Sequence, residues 1–286
     1  MDILICGINN YVGRRCTSLM ADEDFQIFAL TRSQSLFRSR MFDPIKAQLL
    51  EVDLLKGECP DDQQLPTIEA ALYFTQVPAL DDNVNVQLEL LCLRNFIRLI
   101  QQTNCNRLIY IARLMNRRFL APIMALLKEF KLDYTIVLKN MVVGKESLFY
   151  HISQQVVNRK VLFYSERYGR RLYQPIGIYD FVRWLKAMLF VPSFHGQIIE
   201  VGGEEVISAI DFFSFYRKLK QQLDLPKMVS LPNWLFGMLY RGDLRGNHSE
   251  MAEYLHLIQE NRLVDNHWQM SMPFHFSSLQ EVLLDE

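Results

Sequence analysis

The stretch Asp2-Ile3-Leu4-Ile5-Cys6-Gly7-Ile8-Asn9-Asn10-Tyr11-Val12-Gly13 decides the fold. Ile3 to Cys6 form a short unbroken apolar run, the pattern of a strand buried on both faces, and the run enters a turn that begins and ends on glycine. Strand, tight turn and helix start follow one another as in a dinucleotide-binding βαβ unit. There the first glycine makes the turn, the second lets the backbone approach a pyrophosphate, and the third lets the helix pack closely on the strand. Asn10 stands where the second glycine belongs. Asn tolerates a left-handed conformation better than other side chains, so Asn10 is expected there in that conformation, with its side chain where a phosphate would come close.

Working outward, apolar runs alternate with helical patterns. Strands are expected at residues 25–30, 49–54, 70–75, 107–112 and 133–138, and helices from Gly13 to Met20 and over 83–103 and 119–130. Strands separated by helices of that length pair in parallel through crossovers. The predicted fold class is therefore α/β, a doubly wound parallel sheet with helices on both faces and a smaller, mainly helical C-terminal lobe. Residues 1–145 are expected to form the dinucleotide-binding core, and residues 146–286 to complete the sheet and cover a substrate cleft. Breaks fall at 60–66 and 242–246. Helices are expected at Pro232 and over 249–260, where Met251, Tyr254, Leu255 and Ile258 share one face.

Composition narrows the function classes. Half of the 286 residues are apolar and the formal net charge is -1, which suits a large core and offers no attraction for nucleic acid. Five cysteines without C-x-x-C spacing read as reduced core thiols. No signal peptide and no apolar run of transmembrane length is visible, so a cytoplasmic protein is expected. The six histidines lack metal-ligand spacing; His248 and His256 lie two turns apart on one helical face with no third ligand, and no metal is expected. Neither a G-x-S-x-G elbow nor a G-x-x-x-x-G-K-[ST] loop occurs.

Several segments, taken in order, resemble the atypical short-chain dehydrogenase/reductases of the NmrA-like group. They are Gly7 to Gly13, Leu30-Thr31-Arg32, Val52-Asp53-Leu54, Asn95, Asn106-Arg107-Leu108-Ile109-Tyr110-Ile111, Gln174-Pro175-Ile176-Gly177-Ile178-Tyr179-Asp180 and Ile198-Ile199-Glu200-Val201-Gly202-Gly203. Leu263-Val264-Asp265-Asn266, with Phe274 and Ser277-Ser278-Leu279, is similar to the family's ending. The resemblance implies an NAD(P)-binding Rossmann fold, with the pyrophosphate over Gly7, Asn9, Asn10, Tyr11, Val12 and Gly13 at the positive end of the first helix.

Arg32 follows the second strand, where a carboxylate would bind a ribose 2′-hydroxyl and a guanidinium would clamp a 2′-phosphate. It points to NADP rather than NAD, possible helpers being Arg14 and Arg38; an ordinary solvated arginine is the other reading. Asp53 and Leu54 would flank the adenine, and Thr75 and Gln76 would pass beneath the nicotinamide ribose or else cap a strand end. Asn10 is expected to weaken cofactor binding.

Standard members of the superfamily use a Tyr-x-x-x-Lys pair after the fifth strand, aided by a serine. This chain has Ala112-Arg113-Leu114-Met115-Asn116 there, and its one Tyr-x-x-x-Lys, Tyr216 to Lys220, is expected on a helix surface far from the site. Catalytic residues are thus unassigned. Arg113, Asn116, Lys139, Asn140, Tyr173 and Gln174 are candidates to line the substrate cleft. Two functions remain open: an NADP-preferring oxidoreductase or epimerase-like enzyme acting on an unidentified small molecule, and a non-catalytic redox sensor or protein-interaction scaffold.

Overall fold

A computed structural model of the protein describes residues 1–39, 45–57, 66–77, 80, 82–157, 160–220, 227–236 and 260–284. The helix expected over 249–260 and the breaks at 60–66 and 242–246 lie outside them, apart from Pro66 and Glu260.

The chain alternates β1 (Asp2–Cys6), α1 (Tyr11–Leu19), β2 (Gln26–Thr31), α2 (Gln34–Ser39), β3 (Gln48–Glu51), β4 (Ala70–Phe74), α3 (Asn83–Gln102), β5 (Arg107–Arg113), α4 (Leu120–Glu129) and β6 (Asp133–Lys139). A seventh strand, Ile198–Val201, completes the sheet at its β6 edge, giving the order Ile198–Val201, β6, β5, β4, β1, β2, β3. Every pairing in this sheet is parallel. The sheet interior is apolar on both faces, which is why its strands read as continuous hydrophobic runs rather than alternating ones. From β1 the order runs one way through β2 and β3 and the other way through β4, β5 and β6. The reversal between β1 and β4 is the switch point where doubly wound sheets bind ligands at the carboxyl ends of their strands.

The chain divides into two compact units. The first comprises Met1–Lys139, Phe181–Val201 and Asn266–Pro273. On one face of its sheet, Leu93, Phe96, Ile97 and Ile100 of α3 and Ile123 and Leu127 of α4 pack on Leu4, Tyr73, Leu108 and Ile136. The second unit comprises Asn140–Asp180, Gly202–Asp265 and Phe274–Glu286. Helices Leu148–Val157, Ala209–Leu219 and Leu279–Leu284 bring Phe149, Phe212, Tyr216, Leu279 and Leu283 into its core, with the Phe149 and Phe212 rings 4.1 Å apart, edge to face. Among the described residues this unit also holds three two-stranded sheets.

Several local expectations need correction. Helix α1 begins at Tyr11, two residues before Gly13, because Asn10 caps it. Helix α2 was not foreseen. The strand expected over 49–54 is β3, Gln48–Glu51, since Asp53 turns the chain by accepting from the Leu55 N–H at 3.0 Å. Tyr216 lies not on a helix surface but in the core of the second unit, with Lys220 over its ring at 5.6 Å. Among the described residues four cysteines, Cys6, Cys16, Cys92 and Cys105, are buried and free, and no helix is long and apolar enough to cross a membrane.

Candidate functional site

The amino-terminal turn is shaped by two glycines that cannot be replaced. Gly7 has φ +87°, and a Cβ there would meet the Phe74 carbonyl oxygen at 2.4 Å. A Cβ on Gly13 would meet the Gly7 carbonyl oxygen at 2.5 Å, so α1 rests directly on the turn. Asn10 is different. It has φ -83° and ψ 157°, an extended conformation rather than the left-handed one expected for it, and its Oδ1 accepts from the Gly13 N–H at 2.7 Å. The physical reason is capping: an N-cap residue is extended so that its side chain can bond back to the third helical amide. The left-handed demand of the turn falls on Gly7 alone, and position 10 has room for a side chain. The first turn of a helix carries the positive end of its dipole, and here that turn begins at Tyr11, directly after the glycine turn.

The flanking candidates follow the carboxyl ends of neighbouring strands. Arg32 is exposed immediately after β2, and Arg38 is exposed in the last turn of α2. Arg32 and Asp53 lie close enough to act oppositely on the Cys92 thiol, which burial pushes up to about 11. Leu54 is buried, and its carbonyl accepts from Asn95 Nδ2 at 2.8 Å, which ties the loop after β3 to α3. The Thr75 N–H donates to the Ile111 carbonyl at 3.2 Å. Gln76 turns inward: its Nε2 donates to the Phe74 carbonyl at 2.8 Å and to Cys6 Sγ at 3.3 Å, against the back of the glycine turn.

Further along the same edge, Arg113 and Lys139 are register partners at the ends of β5 and β6, both half-buried. A short 3-10 turn, Leu114–Phe119, follows β5. Within it Asn116 is 1% exposed; its Oδ1 accepts from the Leu80 N–H at 3.4 Å, and its buried Nδ2 has no acceptor among the described residues. The remaining candidates belong to the second unit, and backbone groups engage two of them there. Asn140 donates to the Arg262 carbonyl at 2.6 Å and accepts from the Met141 N–H at 2.8 Å. Gln174 donates to the Gly203 carbonyl at 3.1 Å and accepts from the Val264 N–H at 2.6 Å. Tyr173 is a core residue beside Phe149, with ring centres 5.6 Å apart.

One residue in this region escaped the sequence reading. Glu89 of α3 is fully buried, and its carboxylate accepts the N–H groups of Gln76 at 2.9 Å and Val77 at 3.3 Å and the Tyr110 hydroxyl at 3.2 Å. Burial pushes this carboxyl from 4.5 up to about 7, against the pull of those donors. The signal was present in the sequence: Glu89 falls in register with Val86, Leu93 and Phe96, where a helix packed on a sheet asks for an apolar side chain.

No family model matches the sequence, and no curated protein is significantly similar to it. Solved structures are similar over the whole chain. UDP-glucuronic acid 4-epimerase from Bacillus cereus, solved with UDP-glucuronic acid and NAD, superposes with a TM-score of 0.70 at 14% identity, covering 99% of this chain and 97% of that one. UDP-glucose 4-epimerase from Thermotoga maritima, solved with UDP-glucose, gives 0.68 at 9% identity over 99% and 96%. The triphenylmethane reductase of Citrobacter sp., complexed with NADP(H), gives 0.64 at 12% identity over 100% and 99%. The chain has the doubly wound Rossmann-type fold of these epimerases and reductases, which is the fold expected from its resemblance to the NmrA-like group.

Proposed function

We propose that the chain binds an NAD(P) dinucleotide along the carboxyl edge of its seven-stranded sheet and acts as an oxidoreductase or epimerase-like enzyme that prefers NADP. The observation that carries this reading is the pair of sterically obligatory glycines, Gly7 and Gly13, at the reversal of strand order between β1 and β4. The residues present fit such a ligand: the turn brings backbone close to the α1 amino end with no side chain from position 7 or 13, where the positive end of the helix dipole favours a pyrophosphate.

In this reading Gly7, Asn9, Asn10, Tyr11, Val12 and Gly13 cradle the pyrophosphate. Arg32 clamps the 2′-phosphate, Asp53 and Leu54 flank the adenine, and Thr75 and Gln76 underlie the nicotinamide ribose. Asn10 weakens the cradle, because its Oδ1 already occupies the Gly13 amide. The bound dinucleotide would supply a hydride acceptor or donor. Arg113, Asn116 and Lys139 would orient a polar substrate from the ends of β5 and β6, and the proton would come from a group other than a Tyr-x-x-x-Lys tyrosine.

A second reading, a non-catalytic sensor or scaffold, draws on one observation: the segment 114–129 after β5 contains no tyrosine. Titration with NADPH and NADH, followed by nicotinamide fluorescence, tests the dinucleotide site, and turnover across quinones, aldehydes and keto-sugars separates the readings. Binding with turnover supports the enzyme, and binding without turnover across the panel supports the sensor. Absence of binding leaves the scaffold.

A further inference from the structure

Glu89 is a carboxylate at a position that packing alone would fill with an apolar side chain. Its Oε2 takes two consecutive loop amides, those of Gln76 and Val77, and its Oε1 takes the Tyr110 hydroxyl. The Gln76 side chain held by that loop reaches Cys6 Sγ and the Phe74 carbonyl, and its Nε2 lies 2.9 Å from where a Cβ on Gly7 would stand. One helix residue is therefore linked, through one loop, to the back of the glycine turn.

We propose that Glu89 is a positioning residue: its carboxylate pins the loop after β4 against the turn at Gly7, so that the floor beneath a dinucleotide is formed before the ligand arrives. This rests on the dinucleotide reading above. A leucine at 89 would pack on the sheet but would leave the two loop amides without their acceptor, so the polar choice serves the loop and not the core.

The titratable groups facing Glu89 are Tyr73 on β4, Tyr110 on β5, Cys6 on β1 and Cys92 on its own helix. Burial pushes all four upward, so they stay neutral while Glu89 changes charge. An ionised carboxylate holds amide donors more strongly than a protonated one. The grip on the loop, and dinucleotide affinity with it, weakens as pH falls through about 7.

The test uses the full chain as wild type, Glu89→Gln and Glu89→Ala. Hydrogen exchange is read at Gln76 and Val77 without ligand, and NADPH affinity is read from about pH 6 to about pH 8.5, on either side of the transition. Glu89→Ala is expected to lower protection of the two amides, and NADPH affinity, on the order of tenfold, as for a lost hydrogen bond to a charged group. Glu89→Gln is expected to lack the several-fold tightening that wild type shows through neutral pH; titration of the ligand's own 2′-phosphate is common to both proteins and cancels. Unchanged protection in Glu89→Ala, or a pH profile in Glu89→Gln that matches wild type, would overturn the proposal. If wild type binds no NADPH at any pH, the dinucleotide reading fails while the exchange data still decide whether Glu89 holds the loop. If Glu89→Ala does not fold, the pH dependence of amide protection in Glu89→Gln decides it.

Discussion

Replacing Glu89 by glutamine should change how the stability of the whole fold depends on pH, and the size of the effect follows from the site. In the unfolded chain a glutamate loses its proton near 4.5; in the folded chain Glu89 keeps it to about 7 because burial disfavours the charge more than the surrounding hydrogen-bond donors favour it. Between those values the folded state holds a proton that the unfolded state has released, so stability falls as pH rises across this window. At ~1.4 kcal/mol per tenfold difference in proton affinity, the gap from 4.5 to about 7 corresponds to roughly 3 kcal/mol, present in full below about pH 4.5 and lost by about pH 7. Glutamine is nearly isosteric and does not titrate. Urea unfolding of both proteins, followed by the fluorescence of buried Trp184 and Trp268, isolates this one group because every other titration is shared. Glu89→Gln should gain on wild type by about 3 kcal/mol between about pH 4 and pH 8. Two stability curves that stay parallel across that range would refute the reasoning, since Glu89 would then ionise in the fold as it does in a free chain.

Three further outcomes are expected at the amino-terminal site. Arg32→Glu should weaken NADPH by the ~1.5–3 kcal/mol of a charged hydrogen bond and NADH far less, in paired fluorescence titrations; equal losses would remove the 2′-phosphate role. Asn10→Gly releases the Gly13 amide at a cost of only a few tenths of a kcal/mol in capping, and NADPH should bind more tightly to the variant. Unchanged affinity would mean that this amide does not face the phosphates. Gly13→Ala places a Cβ 2.5 Å from the Gly7 carbonyl oxygen, so a loss of roughly 1–3 kcal/mol in thermal or urea unfolding and loss of NADPH binding are expected. Wild-type behaviour of this variant would contradict the close packing of α1 on the turn.

The central sheet was readable because parallel strands covered on both faces need apolar residues at every position, so β1, β4, β5 and β6 stand out as continuous runs. Their ends shift by only a residue or so, since strand ends are set by turn hydrogen bonds that a hydrophobic pattern does not carry. The Asp53 turn cut short the third strand in this way. At the site, the glycines were legible because their role is steric, whereas Asn10 was misread: the sequence marks a lost glycine and does not say which residue carries the positive φ. Glu89 was marked by its apolar register on α3, but what it holds, 13 residues away, and the inward turn of Gln76 to a residue 70 away, are long-range contacts that local pattern cannot register. Asn140 and Gln174 read as polar lining, yet their amides bond to backbone groups distant in sequence, a satisfaction visible only once the chain has folded.

The seventh strand has a consequence for how the protein is made. Ile198–Val201 pairs with Ile136 to Lys139 of β6, so the seven-stranded sheet is complete only after the ribosome has passed well beyond its first six strands. Until then the nascent chain presents β6 as a bare parallel edge, its N–H and C=O groups open to any extended segment nearby. A fragment stopped at residue 145 keeps that edge permanently and should self-associate.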